Sequence, residues 1–352
     1  MQSIIMATIL PIDEFLHITQ SLPVVDVRTP AEFSKGHLPH AVNLSLFSDE
    51  ERAMVGTLYH QQGKQAAVLQ GLAFVSPHMK ALTEEALALG SSQIGLYCWR
   101  GGMRSQSMAW LFETVDLQCF VCEGGYKAFR RHVLAQFEKP LQLKIVAGAT
   151  GSGKTELLQE LAALGEQVID LEALAHHRGS AFGALGQLPQ STTEDFENRL
   201  YEVIRGLDAS RPVWVEDESM MIGRIQLPYP FFLQMHHSTA YYIQSPLADR
   251  LDRLVKEYAH FPKHELMASI QLLERRLGGN HCKDALKACE ANDFRTAIAI
   301  VLQYYDKAYA QSLIEKPYKN MIQVPSSNDI RAVASYLITL KKEIDGYSTD
   351  TF

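Results

Sequence analysis

Twice in this chain a short apolar run leads straight into a glycine-containing loop and then into a helical segment, and that pattern demands parallel strands. The first run, Ile94-Gly95-Leu96-Tyr97, opens into Cys98-Trp99-Arg100-Gly101-Gly102-Met103-Arg104. The second, Leu143-Lys144-Ile145-Val146-Ala147, opens into Gly148-Ala149-Thr150-Gly151-Ser152-Gly153-Lys154-Thr155. A strand followed by a helix must cross over before the next parallel strand can pair, and such crossovers cover a sheet with helices on both faces. Each loop also presents backbone N–H groups at a helix N-terminus, which is an arrangement suited to anions. The chain is therefore read as α/β, with two anion sites at strand ends.

At 352 residues the chain suits two domains. Pro140 marks the boundary, giving domains over 1–139 and 140–352. The first has strands over 24–27, 41–44, 94–97 and 119–121. Residues 49–90 read as mainly helical, broken near Gly63 and Ser76-Pro77, and further helices cover about 104–114 and from the Gly124-Gly125 turn to about 137. The second has strands over 143–147, 167–170, 213–215, 240–243 and 321–324. Its helices cover 154–164, most of 246–312, and a last stretch to about 343.

No apolar stretch approaches the ~20 residues that a membrane helix needs, so no membrane association is expected. Met1 to Met6 lack a basic n-region and a cleavage site, so no secretory signal is expected either. The five cysteines are odd in number, and the Cys119/Cys122 pair has no second pair to complete a zinc site. A reducing cytoplasm fits this usage. The net charge of −7 argues against a non-specific nucleic-acid binder. It is unevenly spread, however: −2 over 1–140, −6 over 141–239 and +1 over 240–352. The last third also carries Arg250, Arg253 and Lys256 at helical i, i+3, i+6 spacing, and the Arg275-Arg276 pair. If a polyanion binds, these are its contacts, because phosphate contacts dominate nucleic-acid affinity. The other reading is a solvated helix face.

Residues 148–155 match GxxxxGK[ST] in full, after a strand and before a helix, which is the context that motif requires. Gly148, Gly151, Ser152 and Gly153 would cradle phosphate oxygens, Lys154 would neutralise them, and the Thr155 hydroxyl would ligate Mg²⁺. Glu216 at the end of strand 213–215 stands where a second acid for that ion would sit, with Asp217 and Glu218 competing for the role. His176, His177 and Arg178 follow strand 167–170, on the sheet edge where ligands bind in open parallel sheets. Arg178 is the phosphate-contact candidate among them, against an ordinary polar loop. A phosphate loop recognises a diphosphate with its ion and does not by itself specify ATP or GTP. Tyr241, Tyr242, Tyr304 and Tyr305 read as core packing, with a base-stacking or apolar-ligand role as the alternative. In the first loop the helix end, Arg100 and Arg104 would favour the thiolate of Cys98, making it a nucleophile beside an anion site.

Two regions of the first domain support a family resemblance. Val25-Asp26-Val27-Arg28-Thr29-Pro30-Ala31-Glu32-Phe33, Gly36 to Asn43, and the turn Glu123-Gly124-Gly125-Tyr126 resemble a rhodanese (sulfurtransferase) domain. Rhodaneses have four residues between the loop cysteine and the closing arginine, and here Trp99 to Met103 make five. The longer spacing resembles rhodanese-fold phosphatases, so the loop is sized for a phosphate or selenophosphate. Tyr97 replaces the histidine common before such phosphatase cysteines, and no general-acid aspartate is evident nearby. Asp26 and Arg28 read as buttresses of the loop.

The order rhodanese then P-loop resembles the tRNA 2-selenouridine synthase family over most of the chain. The resemblance extends to Glu51 to Tyr59, His176 to Gly183, Phe196-Glu197 and Glu216 to Ser219. It implies an N-terminal rhodanese-like parallel-sheet domain and a C-terminal P-loop NTPase-like α/β domain with a helical C-terminal part. It also implies a transferase that replaces sulfur by selenium in wobble 2-thiouridine of the tRNA anticodon loop. Geranyl diphosphate would alkylate the sulfur, and selenium from selenophosphate would then displace geranyl thiol. Two other functions remain compatible with the residues: a P-loop kinase fused to a sulfurtransferase, and a non-enzymatic chalcogen carrier.

Overall fold

The computed structural model describes residues 7–347 except 181, 316–317, 326 and 328, with residues 341–347 described as backbone only. Met1 to Met6 and Ala181 of the His176–Gly183 segment thus lie outside the described residues. The chain divides into two compact units, one of Met1–Gln136 with Glu197–Glu202, the other of Phe137–Phe196 with Val203–Phe352.

The first unit is built on a five-stranded sheet of β1 (Thr8–Leu10), β2 (Val24–Asp26), β3 (Val42–Asn43), β4 (Gln93–Tyr97) and β5 (Gln118–Cys122), in the order β1-β5-β4-β2-β3. Every pairing is parallel. Buried Val25, Ile94, Leu96 and Val121 pack with Met108 and Phe112 of the Met103–Glu113 helix. Burial on both faces explains the unbroken apolar runs. Gly95 interrupts one of them because a Cβ there would lie 2.6 Å from Thr19 and 3.0 Å from Phe15. Residues 49–87 form helices Asp49–Gln62, Lys64–Val75 and Met79–Leu87, breaking at Gly63 and at a 3₁₀ turn over Ser76–His78. Ser48 and Glu51 close a capping box at the start of the first.

In the second unit β6 (Leu143–Ala147), β7 (Gln167–Ile169), β8 (Val213–Glu216), β11 (Thr239–Gln244) and β12 (Asn320–Pro325) form a parallel sheet in the order β12-β11-β6-β8-β7. A separate antiparallel pair, β9 (Met221–Ile222) and β10 (Ile225–Gln226), follows β8. The Lys154–Ala163 and Ile330–Tyr347 helices enclose a core of Leu157, Leu161, Trp214, Tyr241, Val324 and Leu337. Helices Leu247–Tyr258, Lys263–Leu272, Glu274–Leu277, Gly279–Glu290 and Phe294–Glu315 share a second core that includes Leu254, Ile270, Cys282 and Val301. The strands read from the sequence are all present, and both β1 and the β9-β10 hairpin are additions to that reading. Among the described residues no helix is long and apolar enough to cross a membrane. Each sheet places its loop at the C-terminal end of an interior strand, Cys98 after β4 and Gly148 after β6.

Candidate functional site

The Cys98 loop is fixed by backbone packing. Tyr126 N–H donates to the Cys98 carbonyl at 2.8 Å and Lys127 N–H to the Trp99 carbonyl at 3.0 Å, so the start of the Gly125–Gln136 helix holds the loop. Gly101 has φ 64°, and a Cβ on it would lie 2.4 Å from the Cys122 carbonyl oxygen. A Cβ on Gly125 would lie 2.2 Å from the Cys98 carbonyl oxygen, so both turns exclude a side chain. The Cys98 thiol is buried, and the Ser105 hydroxyl donates to its sulfur at 3.3 Å.

Arg28 supports this loop from within. It is fully buried, donates to both oxygens of Asp26 and to the Gly36 carbonyl, and its guanidinium lies 3.8 Å from the Tyr126 ring centre. Burial alone would lower its pKa, but the hydrogen bond and charge of Asp26 hold it above the ordinary value. Arg104 is not the free cation beside the sulfur that the sequence reading supposed. It is bonded to Glu32 at 2.6 and 3.3 Å, and Arg100 is exposed. Burial would raise the Glu32 carboxyl, yet the bond and charge of Arg104 hold it below the usual range. Cys119 and Cys122 are buried, and burial pushes both thiols up to about 12, which leaves them poor nucleophiles at neutral pH.

In the second loop Lys154 Nζ donates to the Gly148 carbonyl at 2.9 Å, and Gly148 N–H donates to the Tyr309 hydroxyl at 3.0 Å. Behind it, acids form a chain. The Thr155 hydroxyl donates to Glu172 Oε2 at 3.1 Å, and Glu172 N–H donates to Glu216 Oε1 at 2.7 Å. Glu216 Oε2 is buried with no hydrogen-bond partner. Burial first, then the charges of Asp170 and Glu172, push the Glu216 carboxyl well above its ordinary range. Asp217 is engaged elsewhere: it accepts from the Tyr309 hydroxyl at 2.6 Å and from the Tyr318 hydroxyl. Of the three adjacent acids, geometry thus joins Glu216 to Thr155. Glu172, in the first turn of the Leu171–Ala175 helix that follows β7, is not among the residues singled out from the sequence. Its position just after a strand end beside Asp170 was the available signal.

The loop opens on a cavity of about 650 Å³. Lys154, Thr155, Arg178, Arg253 and Lys256 are among its polar lining residues, and Glu218 also faces it. Burial, followed by the charge of Glu172, raises the Glu218 carboxyl well above its usual range. Arg178 pairs with Glu257 at 2.7 Å. Tyr304, Tyr305, Ala308, Tyr309, Ser312 and Leu313, at helical spacing on the Phe294–Glu315 helix, form one wall. Tyr304 is therefore a cavity residue, a correction to core packing; Tyr305 lines the cavity and also packs against the helical core, and Tyr241 is buried against Trp214 as core.

The triad Arg250, Arg253 and Lys256 is likewise corrected. Arg250 is buried, donates to the Thr150 carbonyl at 2.8 Å and pairs with Asp306 at 2.5 Å. Arg253 donates to the Gly151 carbonyl at 2.6 Å. Only Lys256 is exposed. Arg253 and Lys256 both line the cavity and Arg250 is buried behind the phosphate loop, so the three do not form one exposed stripe for a polyanion.

Residues 141–343 match the family model described as the tRNA 2-selenouridine synthase AAA domain, and residues 12–132 match the rhodanese-like domain model. A tRNA 2-selenouridine synthase of Bdellovibrio bacteriovorus is 41% identical over 311 residues, covering 84% of this chain and 75% of that protein. One of Nitrosomonas europaea is 40% identical over 252 residues, covering 67% of this chain and 63% of that protein. One of Shewanella denitrificans is 34% identical over 374 residues, covering 95% of this chain and 99% of that protein.

Proposed function

The chain belongs to the tRNA 2-selenouridine synthase family, and from that premise we propose that it is a cytoplasmic transferase that exchanges sulfur for selenium in the wobble 2-thiouridine of tRNA by two successive transfers. In the first, the thiocarbonyl sulfur attacks C1 of geranyl diphosphate. The C1–O bond breaks, its electron pair leaves with the diphosphate, and the base releases its N3 proton. In the second, selenium of selenophosphate attacks C2 of the alkylated base, the C2–S bond breaks and geranyl thiolate leaves and takes up a proton, and water then cleaves the Se–P bond to release phosphate and leave the selenocarbonyl.

One observation carries the first transfer: a phosphate loop and a wall of tyrosines, Ala308 and Leu313 line the same cavity. An allylic diphosphate is a charged head on an apolar chain and needs both. Lys154 binds the head through charge, and the glycine-bounded backbone binds it through N–H groups. The Thr155 hydroxyl, the Glu172 carboxylate and the unpartnered Glu216 oxygen are hard donors that fit Mg²⁺. Among the described residues no group of three His, Cys, Asp or Glu side chains could hold a metal alone, so ligand phosphate and water would complete its shell. The ion, when bound, neutralises charge that develops on the leaving diphosphate. For the second transfer, the Cys98 loop offers a thiol at the base of a cradle of backbone N–H groups, sized for a selenophosphate.

The test is direct. The purified chain is incubated with tRNA carrying 2-thiouridine, geranyl diphosphate and Mg²⁺, then with selenophosphate, and the wobble nucleoside is weighed after each stage. The proposal expects S-geranyl-2-thiouridine and then 2-selenouridine. A wobble nucleoside unchanged at both stages, with ATP-dependent phosphorylation of a small molecule instead, would overturn it.

A further inference from the structure

Two arginines of the Leu247–Tyr258 helix reach carbonyl oxygens of the phosphate loop, and their surroundings separate their tasks. Arg250 has a side chain only 8% exposed and ties the helix to the Phe294–Glu315 helix through Asp306 while holding the Thr150 carbonyl. It is an anchor. Arg253, one turn on, lines the cavity. Its guanidinium carbon would lie 3.2 Å from a Cβ placed on Gly153, so the group rests directly on the residue before Lys154. Its partners are the Gly151 carbonyl at 2.6 Å and Glu156 Oε2 at 2.9 Å. Lys154 is in the same condition, with its ammonium on the Gly148 carbonyl. Both cations at the loop are thus satisfied by the loop itself or by a neighbouring carboxylate.

We propose that Arg253 is a ligand of the bound diphosphate and that Glu156 acts as an internal surrogate anion that must release it. The inference rests on reading the loop as a diphosphate site. The Glu156 side chain is 51% exposed, and exposed ion pairs contribute little, so the pair separates readily. A guanidinium bonded to phosphate oxygens makes shorter and stronger charge-assisted bonds, often two at once. The exchange gains an interaction with the ligand at small cost to the protein, and the Arg250 anchor keeps the helix in place while it happens.

Calorimetric titration of the full chain with inorganic pyrophosphate and with geranyl diphosphate, both with Mg²⁺, tests this. Arg253→Ala is expected to weaken both ligands roughly 10- to 100-fold, the loss of one charge-assisted contact. Its affinity for tRNA and the salt dependence of that affinity stay unchanged. Glu156→Gln is expected to tighten both ligands several-fold in the otherwise unaltered protein, and to lose that gain in the Arg253→Ala background. A structural role for the pair predicts weaker binding in Glu156→Gln instead. Equal affinity in Arg253→Ala, or a Glu156→Gln gain that survives without Arg253, overturns the proposal. If Arg253→Ala does not fold, Glu156→Gln alone decides, since failure to tighten is equally fatal. Should the unaltered chain bind neither probe, the diphosphate reading itself fails and takes this proposal with it.

Discussion

Replacing Arg28 by methionine tests how the Cys98 loop is supported. The substitution keeps an unbranched chain in place but removes the guanidinium. The fully buried Asp26 carboxylate then loses a counterion that donates to both its oxygens, the shortest bond being 2.6 Å. The Tyr126 ring loses a cation 3.8 Å from its centre. Breaking a buried pair from one side costs about 3–5 kcal/mol. At roughly 2 cal/mol/K of unfolding entropy per residue, a unit of this size should melt about 11–18 °C lower. Differential scanning calorimetry of the full chain is the assay, and only the transition of the rhodanese-like unit should move. The double variant Asp26→Leu/Arg28→Met removes both charges and should recover most of the loss, because an apolar pair of similar volume often replaces a buried ion pair without penalty. A shift of only about 2 °C in Arg28→Met, or a double variant no more stable than the single, would refute the reasoning.

Three further outcomes are expected. At pH 8, iodoacetamide should modify Cys98 ahead of Cys119 and Cys122, whose thiols burial pushes up to about 12; peptide mass mapping reads the order, and equal labelling in the folded protein would contradict it. The Glu32 carboxyl is held below its unfolded value, so its pair with Arg104 adds stability above the unfolded pKa that is lost as pH falls through the folded one; Glu32→Gln should flatten that acid limb in denaturation curves. Thr155→Ala should raise the Mg²⁺ concentration needed for half-maximal geranylation, seen by titrating the ion at fixed RNA, and an unchanged requirement would remove the Thr155 hydroxyl from the ion site.

The two loops were legible because local chemistry dictates them: a buried parallel strand reads as an apolar run, and a nest needs glycine wherever a Cβ would strike backbone. The helical breaks at Gly63 and Ser76-Pro77 were legible for the same local reason. What failed depended on distant partners. Arg250, Arg253 and Lys256 have the spacing of a solvated stripe, and nothing local reveals that Asp306, far along the chain, buries the first of them. Tyr304 and Tyr305 are adjacent, so periodicity could not say that the first faces a cavity while the second also packs on the helical core. The strand β1 has three residues, only Leu10 of them buried, too short for alternation to register. Glu172 escaped notice because its role is set by a bond from Thr155 that only the fold creates.

If the two loops perform different steps in a fixed order, the RNA that accumulates when each loop is blocked must differ. Cys98→Ser and Lys154→Ala are each incubated with 2-thiouridine tRNA, geranyl diphosphate, Mg²⁺ and selenophosphate, and the wobble nucleosides are identified by mass. Cys98→Ser is expected to accumulate S-geranyl-2-thiouridine, because a serine hydroxyl is a far weaker nucleophile than the thiol it replaces in the loop assigned to the selenium step. Lys154→Ala should leave 2-thiouridine unaltered yet still convert RNA that already carries the geranyl group. Selenouridine formed at the normal rate by Cys98→Ser, or normal geranylation by Lys154→Ala, would contradict that separation of steps.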